Sequence, residues 1–134
     1  MHLSSLNVVL LGVCCLSLSA CQTSAPVKNT TSSRSTTSVP VNEQLNQLAS
    51  LVAASKYLRM QCERSDLPDD SVMLKTAVKV AAQKGWDTTR YQSLPQLSEN
   101  LYQGLLKDGT PRNSQCSSFN RSMTPFLDTM RAVR

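Results

Sequence analysis

The sequence predicts an all-α fold, and three observations carry that expectation. Apolar residues recur at three- and four-residue spacings in four consecutive segments. Aromatic residues make up only 4% of the chain and glycines number 4, which disfavours strand-rich sandwiches and barrels with their aromatic, β-branched runs and glycine turns. Cap and turn signals, at Ser65–Asp70, Gly85–Asp87 and Asp108–Pro111, punctuate the segments. At 134 residues, 40% hydrophobic and 17% charged, the chain has room for one globular domain and none for a multidomain enzyme.

The first element is not part of that domain. Val8 to Leu18 reads VVLLGVCCLSL, about half of the ~20 apolar residues that a membrane-spanning helix needs. A short apolar stretch followed by small residues is the pattern of a secretory signal. The preceding MHLSSLN departs from it by lacking Lys and Arg. Leu18-Ser19-Ala20-Cys21 resembles the bacterial lipobox: small side chains fit the peptidase subsites, and the Cys21 thiolate takes the diacylglycerol. Residues 1–20 are therefore expected to be removed, Cys14 and Cys15 with them. Gln22 follows Cys21, where an Asp would favour retention at the inner membrane, so the expected address is the outer membrane, lipid-anchored and facing the periplasm.

Residues 21–40 form the lipidated Cys and a tether. Ten of the 19 residues from Gln22 to Pro40 are Ser or Thr, and there is no apolar period. Such a chain spans roughly 25 Å root-mean-square.

Residues 41–134 carry the helical domain. Asn42 to Ser65 is the first helix, with Leu45, Leu48, Leu51, Val52, Tyr57 and Leu58 spread over well over half its circumference. Either two neighbours bury it, with Ala53 and Ala54 as neutral filler, or part of the arc receives a partner. Asp66 is the expected N-cap of the second helix, with Pro68 in its first turn. This helix uses Leu74, Ala77, Val78 and Ala81, and Gly85 closes it. Asp87 is the expected cap of a short turn. Pro95 is expected to break or kink the chain before a third helix with Leu97, Leu101, Leu105 and Leu106 on its apolar side. From Asn113, the series Cys116, Phe119, Met123, Phe126 and Met130 keeps helical spacing through Pro125, which either kinks one helix or starts a second piece.

After processing, Cys62 and Cys116 are the two remaining thiols, and the oxidising periplasm makes a disulfide their expected state. Closing a loop of about 55 residues is worth roughly 4 kcal/mol in the chain-entropy picture.

Catalytic chemistry finds no purchase. The single histidine is His2, in the signal. There is no Gly-rich phosphate loop and no nucleophile elbow, and the only Glu residues are Glu43, Glu63 and Glu99. Asp66, Asp69 and Asp70 lack the Gly and distal Glu of a calcium loop. No catalytic residue, metal or cofactor is expected. The basic residues are scattered and aromatics few, so nucleic-acid binding is not expected either. The net charge of +5 suits an anionic lipid or a negatively charged partner segment.

The run Leu51-Val52-Ala53-Ala54-Ser55-Lys56-Tyr57-Leu58-Arg59-Met60-Gln61-Cys62-Glu63-Arg64-Ser65-Asp66-Leu67-Pro68-Asp69-Asp70, followed by Gly85-Trp86-Asp87, resembles the pilotin lipoproteins of type II secretion systems, the PulS/OutS family. The resemblance spans roughly Leu45 to Leu127. It implies a small four-helix bundle with one disulfide. It also implies binding of the C-terminal segment of the secretin subunit, a disordered tail that folds into a helix on binding, and its protection and delivery to the outer membrane through the lipoprotein-sorting machinery. The groove is then expected between the first and third helices. Helical position selects Leu48, Val52 and Leu58 on the first and Leu94, Leu97 and Leu101 on the third. Two other readings are a small periplasmic lipoprotein inhibitor of an enzyme, which would present a rigid polar loop, and a structural lipoprotein binding the cell wall through Lys/Arg stripes.

Overall fold

The computed structural model describes residues 38–133. The expected signal, Cys21 and Gln22 lie outside the described residues. Helix α1 (Val41–Gln61) is the central element, packed against α2 (Asp70–Gln83), α3 (Leu94–Lys107) and α4 (Arg112–Ser122), while α5 (Thr124–Arg131) packs on α2. A 3₁₀ turn, Thr88–Arg90, links α2 to α3. None of the helices among the described residues is long and apolar enough to cross a membrane.

Most boundaries follow the expected chemistry, and three differ. Helix α1 ends at Gln61 rather than near Ser65, because Glu63 takes φ 58° and the amides of Cys62 and Arg64 both donate to Leu58 O (3.1 and 3.3 Å). The N-cap of α2 is Asp69, not Asp66: its carboxylate accepts from the Val72 amide at 3.1 Å, which holds its pKa below the ordinary value together with the stronger bond from the Ser71 hydroxyl. Pro68 accordingly precedes the helix. Asp66 is engaged instead by Arg64, Nε to Oδ1 at 2.7 Å and Nη2 to Oδ2 at 2.8 Å, and the Arg64 Nη1 donates to Asn120 Oδ1 on α4. Leu94 is the first residue of α3 despite Pro95 after it, since a proline in the first turn forfeits no helical hydrogen bond.

Gly85 closes α2 as expected. At φ 73° its amide donates to Ala82 O (2.9 Å) and that of Trp86 to Ala81 O (3.0 Å), the paired bonds of a Schellman cap. The last expected helix is two pieces. Pro125 cannot donate to Arg121 O, and the Thr124 hydroxyl donates to that carbonyl (3.2 Å) and to Asn120 O (3.1 Å), so the chain re-aims at Met123 without stranding an acceptor.

The core gathers Leu48, Ala49, Val52 and Leu58 of α1, Met73, Ala77 and Ala81 of α2, Leu94 of α3, and Phe126, Leu127 and Met130 of α5. Three hydroxyls lie within it, Ser55, Thr76 and Ser98. Each donates to the carbonyl four residues back (Leu51, Val72 and Leu94), so its burial leaves no unpaired donor. Cys62 and Cys116 are bonded, Cα to Cα 5.6 Å, tying the end of α1 to the start of α4.

Candidate functional site

Two small-residue positions on α1 shape the site. Ala49 and Ala53 are 0 and 1% exposed, and Ala53 packs in a cluster with Leu101 and Tyr102 of α3. Where α4 crosses this seam, the small residues leave a recess of about 150 Å³, lined by Ser50, Ala53 and Ala54 of α1, Leu101 and Leu105 of α3, and Phe119 of α4. The lining is almost wholly apolar. Leu97, Leu101 and Leu105, one turn apart in succession, form a half-buried stripe along α3. Phe119 is fixed by an edge-to-face contact with Tyr57, centroids 5.6 Å apart and planes at 82°. It lies one turn after the disulfide-bonded Cys116, so the bridge also sets where this wall of the recess stands.

The other side of the α1–α3 seam is closed by charge. The Lys56 Nζ lies 2.7 Å from Asp70 Oδ2 on α2 and 2.7 Å from Glu99 Oε2 on α3, and 4.9 Å from the centroid of the Tyr102 ring. Burial acts to lower the Lys56 pKa, but the hydrogen bonds and charges of Asp70 and Glu99 outweigh it, so the ammonium is held above its ordinary value. The bond from Lys56, then that from Gln103, holds the Glu99 carboxyl below its ordinary range. One cation thus pins three helices behind the recess. The Gln61 side chain donates to Tyr102 Oη (3.3 Å), and Tyr91 Oη donates to Gln44 Oε1, joining the two ends of the same seam.

The expected groove residues divide. Leu48, Val52, Leu58 and Leu94 are 1, 3, 0 and 1% exposed, packed in the core with α2 and α5, and none of them lines the recess. That is a correction. The wide apolar arc of α1 serves three neighbouring helices, and Leu48 and Val52 lie on the arc that faces away from the recess. Leu101 lines the recess and Leu97 lies on the same stripe one turn earlier. Helical spacing missed Ser50, Ala53, Ala54, Leu105 and Phe119. The signal for the first three was the cluster of small residues Ala49-Ser50 and Ala53-Ala54, which is structural rather than filler. Among the described residues there is no group of three or more His, Cys, Asp or Glu placed to hold a metal.

Comparisons with known proteins bear on this geometry. The profile of the type II secretion system pilotin lipoproteins (PulS_OutS) matches residues 18–128. The chain is 81% identical to Pilotin OutS of Dickeya dadantii (strain 3937) over 134 residues, the full length of both. A solved structure described as a pilotin/secretin peptide complex shares 84% identity, with a TM-score of 0.69, over 69% of this chain and 98% of the other. A chain of the Klebsiella pneumoniae type II secretion system outer membrane complex, described as PulD, PulS and PulC HR domain, shares 45% identity with a TM-score of 0.63, over 65% of this chain and 94% of its own. With its profile match running through nearly the whole helical domain and a relative of equal length, the chain belongs to the type II secretion system pilotin lipoproteins.

Proposed function

We propose that this chain binds the C-terminal segment of a secretin subunit as a helix laid along the α1–α3 seam, with an apolar side chain seated between Ala53, Ala54, Leu101, Leu105 and Phe119. The observation that carries the reading is the half-buried apolar stripe of α3 facing small residues of α1, in a chain whose 84%-identical relative was solved with a secretin peptide. Each well-buried Leu of the peptide contributes roughly 1.5–3 kcal/mol. Folding the peptide costs ~2–5 kcal/mol. Four anchors near the upper end of that range therefore leave about 7–10 kcal/mol, which corresponds to affinities from about ten micromolar to tens of nanomolar. Cys21 carries the lipid and Gln22 directs the protein, through the lipoprotein-sorting machinery, to the outer membrane, where the domain faces the periplasm and protects and delivers the bound secretin. The role needs no catalytic group and no cofactor.

Calorimetry and circular dichroism with a peptide from the secretin C-terminus test the first step. Binding with a gain of helicity is expected, and Leu101→Asp should remove it while the domain stays folded. The absence of binding by any C-terminal secretin peptide refutes the proposal. For the anchor, mass spectrometry of the membrane-bound protein should find Cys21 acylated, and Gln22→Asp should shift it toward the inner membrane. An unmodified Cys21 thiol there overturns the anchoring step.

A further inference from the structure

The peptide cleft leaves the positive charge of the domain unused. Lys75 and Lys79 on α2, Lys84 at its C-cap, and Arg90 in the 3₁₀ turn run from the middle of α2 to the end of the bundle at which α1 begins. All four are exposed and none forms a salt bridge among the described residues, although the charge of Arg90 acts on the nearby Asp87 carboxylate. Asp87 accepts from the amide and hydroxyl of Thr89 (3.1 and 2.6 Å) and offsets part of the Arg90 charge, whereas Lys75, Lys79 and Lys84 stand without a salt bridge among the described residues. Trp86, the only tryptophan, is half-buried, with Lys84 Nζ 4.6 Å from its ring centroid and Arg90 lining the same recess. Beside them Leu74, Val78, Leu94 and Pro95 line a shallow apolar recess rimmed by Lys75. This is the residue chemistry of a membrane interface: cations for headgroups, an amphipathic indole, and apolar surface behind it.

The path of the chain selects the occupant. Pro40 and Val41, where the N-terminal segment joins α1, line one recess with Trp86 and Arg90. A tether of this composition spans roughly 25 Å, so an anchor at Cys21 holds this end of the bundle near the bilayer. The charged residues of the N-terminal segment before the domain, Lys28 and Arg34, have the same sign as the patch and do not complement it. We infer that the surface running from Lys75 and Lys79 of α2 to Lys84, Trp86 and Arg90 is a contact surface for the anionic phospholipid headgroups of the membrane that carries the anchor. The orientation rests on the Cys21 reading, and the contact acts together with the anchor to fix how the peptide cleft is presented.

The lone tryptophan is a built-in reporter. The helical domain without the N-terminal segment is the form to use, since the solved 84%-identical chain matches this one over 98% of its own length and only 69% of ours. Vesicles of phosphatidylcholine containing phosphatidylglycerol should shift Trp86 emission to the blue. Phosphatidylcholine alone should not, and high salt should reverse the shift. Near an anionic surface each cation is worth about fivefold in partitioning, so Lys79→Glu with Arg90→Glu should weaken vesicle binding roughly 25-fold or more. The same variant should bind the secretin peptide as the parent does, and Lys75→Gln with Lys79→Gln, a milder change, should weaken vesicle binding in the same direction. No shift, an equal shift on neutral vesicles, or vesicle binding unaltered in both variants overturns the inference. A response to polyglutamate but not to vesicles overturns it in favour of an acidic protein partner. Because these vesicle measurements omit the lipid anchor and the peptide, their failure is distinguishable from failure of the proposed function.

Discussion

Breaking the Cys62–Cys116 bond should cost the domain about as much as truncating a large side chain in its core. The bridge closes a loop with a sequence separation of 54 residues. In the chain-entropy picture, a loop of that length limits the unfolded chain by about 14 cal/mol/K, or about 4 kcal/mol at 25 °C. A domain of this size has a total stability of about 5–15 kcal/mol, and each kcal/mol moves its melting temperature by about 4–8 °C. Cys62→Ser should therefore lower the midpoint by about 15–30 °C, as should Cys116→Ser. The double variant should match either single one, because the second substitution removes no further cross-link. Thermal unfolding followed by circular dichroism, with thiol titration to confirm the redox state, reads all three. A loss below about 1 kcal/mol, or a double variant much less stable than either single one, refutes the loop-closure reasoning. Because α4 brings Phe119 to the peptide recess one turn after Cys116, folded Cys116→Ser at low temperature should also bind the secretin peptide more weakly.

Other substitutions separate core, cleft and scaffold. Val52→Asp places a carboxylate at a 3% exposed site and should leave no folded domain by circular dichroism, whereas Leu101→Asp, on the recess, should fold and fail only in peptide calorimetry. Glu63→Gly relieves a left-handed residue and should raise stability by about 0.5–1 kcal/mol in denaturant titration. Lys56→Met severs the link among α1, α2 and α3 and should cost about 1 kcal/mol. The pH dependence has two limits. Glu99, held below its ordinary 4.5, contributes stability above that pH and loses it as pH falls further. Lys56, held above its ordinary 10.5, contributes fully below that pH and loses its share as pH rises beyond it. Chemical denaturation in Lys56→Met should show a flatter profile at both ends.

Helical periodicity, the Gly85 cap and the cysteine arithmetic carried most of the architecture, because each depends on local chemistry or on a count. The places where the sequence misled share a different character. Asp66 and Asp69 are both acceptable caps by composition, and the choice between them turns on Arg64, which takes the Asp66 carboxylate. The continuous spacing across Pro125 conceals a re-aimed chain, because the Thr124 hydroxyl bonds the carbonyl that a break would have exposed. Leu48, Val52 and Leu58 do not line the recess, because apolar residue type says that a position is buried, not which neighbour buries it. On a helix packed by three others, Leu and Val mark the core. The recess between α1, α3 and α4 is lined on the α1 side by Ser50, Ala53 and Ala54, residues that a hydrophobic scan passes over.

That distribution also explains how one small domain can keep an apolar seam without collapsing onto it. Large side chains at positions 53 and 54 would fill the recess from within, and a smaller residue than Leu at 101 or 105 would leave a partner little to bury against. Alanine on α1 and leucine on α3 instead place the apolar area on one wall and the room on the other. The remaining supports keep that room from closing: Lys56 pins α1 and α3 from behind through Glu99, and the disulfide fixes α4 in front. Ala54→Leu tests this division of labour. The added side chain fills space that is part of the recess, so the domain should remain at least as stable in thermal unfolding, while affinity for the secretin peptide should fall by tenfold or more, the equivalent of about 1.4 kcal/mol. Unchanged affinity in a folded Ala54→Leu would show that the peptide's anchors seat elsewhere along the α3 stripe, and would leave Leu97 and its neighbours as the next residues to vary.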